Sequence, residues 1–346
     1  MKINILYDFS TNHGGGSRFL AALKHNLEDR GRYASTPAQA DAIIFNSYHC
    51  LLDVVRLKLR HPGKLFIHRL GPFFYLHRSP SWRIIDRLTI STANLIADAI
   101  VWQSRWSLRQ ATKFNFDRRK MHDIIGNAPD SRYFNHPVKP PFDLPQPIKL
   151  IACSWSTNPN KGFALYHYLD NHLNFSKYNM SFIGRTPQNF KNIKQLGILS
   201  TPQVATALRQ HHIFISGVTN DAYSNTLAEA AACGLPIVAP SSGANEEIIG
   251  RGGELFINHS AAVDKIEKVA NHYRHYQSNV SPPDIDHITK KYLHIIVRAA
   301  RHKTHISRFR LAIFYIWLIM VSLSLNLLTK LGFNFPPGLP SSCHES

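Results

Sequence analysis

Short apolar runs alternate with longer segments of helical apolar spacing along the first third of the chain. The sequence opens on a strand-like run at residues 1–7, which leads through three consecutive glycines into helical spacing at residues 19–27. The alternation continues with strands predicted at 42–45, 64–68 and 99–103 and helices at 51–59, 90–97 and from Ser104 onward. This pattern predicts a parallel sheet with helices on both faces.

A second series of the same kind follows a proline-rich stretch. The prolines of residues 136–147 exclude regular structure there and predict a stiff linker: Pro137, Pro140, Pro141, Pro145 and Pro147. Beyond it, strands are predicted at 149–153, 180–184, 213–216 and 236–239, and helices at 163–173 and 226–233. The sequence therefore predicts two doubly wound, Rossmann-like α/β domains, at 1–135 and 148–300, with the ligand site in the cleft that they face.

Residues 301–346 depart from this alternation. The stretch 311–329 contains no charged side chain, and as a helix it would be about 28 Å long, close to the roughly 30 Å hydrocarbon core of a bilayer. Basic residues without any acid precede it: Arg298, Arg301, Lys303, Arg308 and Arg310. By the positive-inside rule, we expect the protein on the cytoplasmic face of a membrane, anchored or associated through 311–329. A helix buried in the protein or lying at an interface is the alternative.

The net charge of the protein limits the kinds of partner that it is expected to bind. The formal net charge is +18, from 40 Lys and Arg against 22 Asp and Glu, which indicates an acidic partner such as nucleic acid, anionic lipid or a phosphorylated substrate. A hydrophobic content of 44% excludes wholesale disorder. The 4 cysteines form no CxxC pair, so a zinc site is not indicated.

The most informative motif begins after the strand predicted at 213–216. A loop carrying Asp221 leads into a helix whose first backbone N–H groups, at Ser224, Asn225 and Thr226, lack helical partners and favour a diphosphate. Glu229 lies one turn inside this helix, where it can accept hydrogen bonds from a ribose diol. Asp221 can accept them from the hydroxyls of a sugar. The motif therefore predicts a site for a nucleotide sugar, the alternative being a capped helix with incidental acids.

The same residues resemble a known family. An acid, seven residues and a Glu, followed by a small-residue helix and Cys-Gly-Leu-Pro, is similar to the EX7E signature of retaining glycosyltransferases of family 4, which have the GT-B fold. The resemblance implies that Asp221 contacts the transferred sugar and that Glu229 holds the ribose. It also implies that backbone amides are offered by Tyr223, Ser224, Asn225 and Thr226. The family usually has Glu at the first position, so Asp221 leaves the transferred sugar open.

Weaker motifs stand in the order that the family has them. Residues 155–162 resemble the family's Lys-Gly loop, which implies that Lys161 neutralises the donor diphosphate. The Arg that the family often places five or six residues earlier is absent, and Arg185 is our candidate substitute. A glycine loop resembles the family's first-strand loop, where missing side chains let the backbone approach the donor phosphate: Gly14, Gly15 and Gly16.

Two further residues of the first domain are candidates. Arg18 follows the glycines and either binds phosphate or lines the surface of its helix. His68 ends a strand in a His-Arg-Leu-Gly-Pro segment, which resembles the family's His-Arg-x-Asp-Gly-Pro without the Asp. We therefore predict a catalytic role for His68, with a structural histidine as the alternative.

The resemblance implies a hexosyltransferase that moves sugar from a nucleotide diphosphate to a glycan or lipid-linked acceptor, with retention, in envelope polysaccharide or glycoconjugate assembly. The family's chemistry is metal-independent, so the resemblance implies neither a metal nor a cofactor besides the donor. An anionic membrane surface is an expected partner and nucleic acid is not. The alternatives are a GT-B sugar-nucleotide epimerase and a non-catalytic basic protein that binds membranes or nucleic acid.

Overall fold

The chain divides into two compact units that exchange segments of sequence. The computed structural model describes residues 1–9, 15–135, 146–187, 189–303 and 306–339. Unit 1 comprises Met1–Asn12, Leu23–Gly126 and Asp286–Ser346, and unit 2 comprises His13–Ala22 and Asn127–Ile285. The predicted domain ranges follow the order of the sequence and do not anticipate the placement of 13–22 and 286–346. Most of the predicted linker, residues 136–145, lies outside the described residues, and Pro147 directly precedes a strand.

The elements are numbered in chain order. The strands are β1 Ile3–Leu6, β2 Ala42–Asn46, β3 Leu65–Leu70, β4 Ala99–Trp102, β5 His122–Ile124, β6 Ile148–Ser154, β7 Tyr178–Gly184, β8 Lys194–Gly197, β9 Ile213–Ile215, β10 Ile237–Pro240 and β11 Gly253–Phe256. The α-helices are α1 Gly15–Asp29, α2 Leu51–Arg60, α3 Phe74–His77, α4 Arg83–Ile96, α5 Arg105–Ala111, α6 Phe163–His172, α7 Thr201–Arg209, α8 Asn225–Ala232, α9 Asn245–Ile249, α10 His259–Asn271, α11 Tyr273–Ser278, α12 Ile285–Arg301 and α13 Arg308–Lys330.

The sheet of unit 1 is parallel, in the order β1-β2-β3-β4-β5. On the edge of β1 away from β2, Ile3 makes a parallel bridge to Tyr33. After β1 the chain therefore passes first to Tyr33 on one side of that strand and then to β2 on its other side. Because parallel crossovers are right-handed, α1 lies on the opposite face of this sheet from α2 and α4. On their face, Phe45 and Phe66 pack in one apolar core with Val54 of α2 and Leu88 of α4.

The sheet of unit 2 is also parallel, in the order β11-β10-β9-β6-β7-β8. Its strand order reverses between β6 and β9, which pair directly with each other. In open α/β sheets, ligands bind at such a switch point, beyond the carboxyl ends of the strands. The loops that follow β6 and β9 carry Lys161 and Asp221, so the fold brings these two candidates to one edge of the sheet.

The prediction of two parallel α/β sheets is confirmed, although several element bounds differ. Helix α1 begins at Gly15, four residues before the apolar spacing that predicted it, and α4 begins at Arg83 rather than at residue 90. The early start of α4 is held by Ile85 and Leu88, which are buried against the sheet. Strand β8 was not predicted because its sequence, KQLG, is polar and mostly exposed at the sheet edge.

The predicted hydrophobic helix is present as α13. It is 23 residues long, and its most apolar stretch has a mean hydropathy of 2.2, so by length and composition it is able to cross a membrane. Only 22% of that stretch is buried within the protein. The helix belongs to unit 1 and packs against α2.

Candidate functional site

The position of Lys161 is set by a hydrogen-bonded turn in the loop that follows β6. The side chain of Asn158 accepts a hydrogen bond from the amide of Asn160 at 2.9 Å, which starts the short 3-10 turn Pro159–Lys161. Gly162 ends the turn at φ +80, and a Cβ there would overlap the backbone of Gly217. Glycine is therefore required at this position by both its backbone conformation and the close approach of the second loop.

Asp221 lies beside Lys161. The Nζ atom of Lys161 is 3.4 Å from Oδ2 of Asp221, whose other oxygen accepts a hydrogen bond from the amide of Tyr223 at 3.1 Å. The backbone of Asp221 is fixed in turn, because its carbonyl accepts from the amide of Ala244 at 2.9 Å and Gly243 packs directly against it. Both ionic side chains remain partly exposed, so a ligand can reach them.

The start of α8 is open to an anion. Ser224 is the N-cap residue, in extended conformation, but no side chain caps the helix, and the Ser224 hydroxyl pairs instead with that of Thr226 at 3.1 Å. The side-chain oxygen of Asn225 accepts a hydrogen bond from Asn127 at 3.1 Å, which holds Asn225 at the first helical position. The first backbone amides of α8 thus form an uncapped helix start.

Glu229 is paired with Arg18 inside unit 2. The side chain of Glu229 is 3% exposed, and its Oε1 atom lies 3.2 Å from Nη1 of Arg18. The Arg18 guanidinium also stacks over the ring of Trp155, 4.8 Å from its centre. Burial raises the pKa of Glu229, and the charge of Arg18 opposes that rise. The terminal nitrogens of Arg18 are buried and make no hydrogen bond among the described residues, so the guanidinium retains donors for a ligand.

These charges surround the carboxyl end of β6. Burial raises the pKa of the Cys153 thiol to about 12, with a further increase from Glu229 and an opposing effect of Arg18 and Lys161. Cys153 is therefore a neutral thiol near neutral pH, and it lies within electrostatic range of both cations. The structure thus brings together Lys161, Asp221, the start of α8, Glu229 and Arg18.

The remaining donor-side candidates make no hydrogen bond or ion pair through a side chain with this cluster among the described residues, or lie outside those residues. The side chain of Arg185 is exposed, and its backbone amide donates to the carbonyl of Ser154 at 3.0 Å. Gly15 and Gly16 are the first residues of α1, whereas Gly14 lies outside the described residues. The predicted roles of Arg185 and of the glycine loop stay predictions.

His68 lies inside unit 1, at the centre of the sheet. Its side chain is fully buried, its ring stacks on Phe45 at 4.0 Å between centres, and its Nε2 atom is 2.8 Å from the carbonyl oxygen of Ser47. Burial lowers the pKa of His68 to about 3, so the ring is neutral and donates from Nε2. These contacts favour a packing role, and the catalytic role of His68 stays a prediction.

Sequence reasoning left two features of the site undetermined. It weighed Arg18 as either a phosphate ligand or a surface residue, and it treated Trp155 only as an occupant of the place where the family has Arg. The side chain of Arg18 reaches the ring of Trp155 itself, so the guanidinium charge enters the site from α1 instead of from the loop after β6. The feature of the sequence that could have indicated this contact is Trp155, an aromatic residue at a position where the family often has Arg.

A metal-binding cluster is absent from the part of the chain that the structure describes: no group of three or more His, Cys, Asp or Glu side chains is placed to hold an ion.

Comparisons with known proteins bear on the family and the fold. Residues 176–272 match the family model of Glycosyl transferases group 1, and this range contains the loop of Asp221 and all of α8 but neither Lys161 nor Arg18. Anabaena HepE in complex with UDP-glucose has a similar structure, with a TM-score of 0.64 and 14% identity over 87% of this chain and 98% of that one. No curated protein matches the sequence.

Two further solved structures share the architecture. Sucrose-phosphate synthase from Thermosynechococcus elongatus gives a TM-score of 0.62 at 11% identity, over 87% of this chain and 98% of that one. The pneumococcal O-GlcNAc transferase GtfA, in complex with UDP and GlcNAc, gives 0.53 at 12% identity, over 75% of this chain and 56% of that one. With its two parallel α/β sheets and the match of residues 176–272 to the group 1 model, this chain resembles the GT-B glycosyltransferases of family 4.

Proposed function

We propose that this protein is a retaining hexosyltransferase that takes its sugar from a nucleotide diphosphate, with unit 2 as the donor-binding unit. The observation that carries the proposal is the convergence of Lys161, Arg18 and the uncapped start of α8 around two acids, Asp221 and Glu229, at the switch point of one sheet. Similar structures contain UDP-glucose or UDP with GlcNAc, which supports a nucleotide sugar as the ligand of this site.

Each group in the site has a matching part of the donor. The cations and the helix start suit the two phosphates, because each supplies positive charge or free N–H donors. The carboxylate of Glu229, one turn inside α8, suits the ribose diol, and that of Asp221 suits the hydroxyls of the transferred sugar. The neutral Cys153 adds no competing negative charge.

The chemical step breaks the bond between the anomeric carbon and the oxygen of the diphosphate, whose electron pair leaves with the nucleotide. The hydroxyl oxygen of the acceptor forms the new bond to the anomeric carbon and gives its proton to the departing diphosphate oxygen. Negative charge grows on the departing diphosphate, and Lys161, Arg18 and the amides of α8 would stabilise it without moving far. We expect the reaction to run without a metal or a further cofactor, with the charge of the leaving group stabilised by these two cations and the amides of α8.

The acceptor is proposed from charge and hydropathy. A net charge of +18 and the apolar helix α13 support a glycan or lipid-linked acceptor at the cytoplasmic face of an anionic membrane, in envelope polysaccharide or glycoconjugate assembly. We do not expect nucleic acid as a partner. In this proposal unit 1 holds the acceptor.

The test is a panel of nucleotide sugars in a thermal shift assay, repeated on Glu229→Gln. We expect at least one UDP-linked or related donor to raise the melting temperature of the wild type and to raise that of the variant much less. The variant keeps the size of the side chain but loses the ion pair with Arg18, so each ligand-induced shift is measured from the protein's own melting temperature without ligand. A wild type that no donor stabilises, or a variant that responds equally, contradicts the proposal.

Product analysis separates transfer from the epimerase alternative. Incubated with a stabilising donor and a lipid-linked acceptor, a transferase releases the nucleoside diphosphate and extends the acceptor. An epimerase instead converts the donor to its isomer when no acceptor is present.

A further inference from the structure

Helix α13 has two apolar faces with different environments. One face carries Leu311, Leu318 and Leu325, which repeat every seven residues and are at most 2% exposed. They pack in the same apolar core as α2 and α4 of unit 1. A seven-residue repeat keeps one line of side chains against a neighbouring element along the whole helix.

Polar contacts fix the same face to unit 1. The guanidinium of Arg56, on α2, donates a hydrogen bond to the hydroxyl of Tyr315 at 2.8 Å and lies over its ring. Before the helix begins, Lys303 donates to the carbonyl of Gly63. The helix is thus attached at its start and through its first half.

The segment after α13 folds back on the helix. The amide of Gly338 donates to the side chain of Asn326 at 2.8 Å, and a Cβ at Gly338 would overlap the backbone of Ser322. Leu339 is buried in the same apolar core as the heptad leucines. The carboxyl-terminal half of α13 is therefore packed on its inner face as well.

The other face of α13 is apolar and exposed. Its large side chains are between 44% and 75% exposed and follow one another at spacings of one to four residues: Phe309, Ile313, Ile316, Trp317, Met320, Leu323 and Leu327. We call this set the outer stripe. A continuous apolar surface of this kind on a folded protein marks an interaction surface.

A spanning orientation conflicts with the packing of the inner face. If α13 crossed the bilayer, α2 and α4 would enter the hydrocarbon beside it, together with their exposed arginines: Arg56, Arg60, Arg83 and Arg87. Charged side chains are costly at that depth, and a polar unit cannot follow a helix across. With α13 parallel to the surface, the outer stripe alone meets lipid and the arginines stay in water.

We propose that α13 lies in the plane of the membrane, docked on unit 1, and inserts its outer stripe into one leaflet of an anionic bilayer. This inference rests on the membrane association in the proposed function and specifies its geometry. Lipid is favoured as the occupant because Arg308 and Arg310 at the start of the helix are exposed beside the stripe, where they complement anionic head groups. Trp317 suits the boundary between head groups and acyl chains.

The first experiment measures binding of the full chain to vesicles of phosphatidylglycerol and phosphatidylcholine, against phosphatidylcholine alone. We expect binding to the anionic vesicles that weakens with salt, and a loss of about tenfold or more for Ile316→Glu. Ile257→Glu is the matched control, because Ile257 is 87% exposed and belongs to unit 2 and not to α13, so this variant should bind as the wild type does. Equal loss in both variants, or no binding by the wild type, overturns the inference.

The second experiment distinguishes lying from spanning. His302→Cys and Asn334→Cys, on either side of α13, are prepared in a Cys50→Ala, Cys343→Ser background that binds vesicles as the wild type does. Vesicle-bound protein is then treated with a maleimide that cannot cross membranes. We expect both positions to be labelled from outside without detergent. Protection of position 334 alone until detergent is added means that the helix spans and overturns the proposal.

A second copy of the chain is the competing occupant of the stripe. A dimer that Ile316→Glu dissociates, in a protein that does not bind vesicles, would overturn the lipid assignment. Donor stabilisation is measured on the same preparations. If the protein binds a nucleotide sugar but not vesicles, only this inference is contradicted. If it binds vesicles but no donor, the transferase proposal is contradicted instead.

Discussion

Replacing Arg18 by Met tests the central ion pair of the donor site. The charges of Arg18 and Glu229 lie 3.2 Å apart and are largely shielded from solvent. At an effective dielectric constant of about 20, their attraction is about 5 kcal/mol. Desolvation offsets part of it, and breaking a buried pair from one side typically costs about 3–5 kcal/mol. We therefore expect Arg18→Met to lower the free energy of unfolding by about 3 kcal/mol at pH 7.5.

The loss should depend on pH because Glu229 can take a proton once its partner is gone. Burial already raises the pKa of Glu229 and Arg18 opposes that rise, so in the variant the pKa is higher still. A carboxyl whose pKa is raised in the folded state destabilises the fold in full above that pKa, and the penalty shrinks as the pH falls from that pKa toward the pKa of the unfolded chain. The deficit of the variant should accordingly be smaller at pH 5.5 than at pH 7.5.

Urea unfolding at both pH values measures the deficit, and the control is the same substitution in a Glu229→Gln background. There the buried charge is absent, so we expect Arg18→Met to cost much less. Calorimetry with a stabilising donor should show affinity weakened by about 10- to 100-fold, because a charged hydrogen bond contributes about 1.5–3 kcal/mol. A deficit that is equal at both pH values and in both backgrounds would refute the pairing of Arg18 with Glu229.

Two further predictions concern the folds of the units. Burial raises the pKa of Asp86 to about 6, so its ionised form destabilises unit 1. Between pH 7.5 and 5.0 we expect the wild type to gain stability relative to Asp86→Asn, by about 1.4 kcal/mol for each pH unit below 6. Urea unfolding of both proteins across this pH range measures the gain. Gly162→Ala should destabilise unit 2 by about 1–3 kcal/mol and weaken donor binding, because its Cβ meets the backbone of Gly217. Gly197→Ala is its control, with a similar φ of +69 but open space, and an equal loss of donor binding in both variants would contradict the close-approach argument.

The class of fold was predictable because each core strand is an apolar run. The strands of unit 1 read as INIL and AIIFN and are buried throughout, as a parallel sheet covered on both faces requires. Edge strands carry no such signal: β8 was missed because KQLG has one apolar side chain of any size. Residues 13–22 belong to unit 2 and residues 286–346 to unit 1 because of tertiary contacts, and such contacts produce no periodic pattern in the sequence.

Part of the site was predictable by the same reasoning. Lys161 and Asp221 follow strands of one parallel sheet, so both were expected near its carboxyl edge, and the structure separates them by 3.4 Å. The pairing of Arg18 with Glu229 was not foreseen. It requires the start of α1 to join unit 2, and a single basic residue in a helix is usually a surface residue.

The pairing of both cations with acids determines how a diphosphate can bind. In the free protein, Lys161 is opposed by Asp221 and Arg18 by Glu229, so the four side chains carry no net charge. A diphosphate that simply joined them would face two carboxylates as well as two cations. If Glu229 turns to the ribose and Asp221 to the sugar hydroxyls, however, each acid keeps hydrogen-bond donors while its cation becomes available to phosphate. The nucleotide and the sugar must then bind together for full affinity, so we expect inorganic pyrophosphate alone to stabilise the protein far less than an intact nucleotide sugar. Equal stabilisation by the two ligands would show that the acids do not need to be satisfied, and that this exchange of partners does not occur.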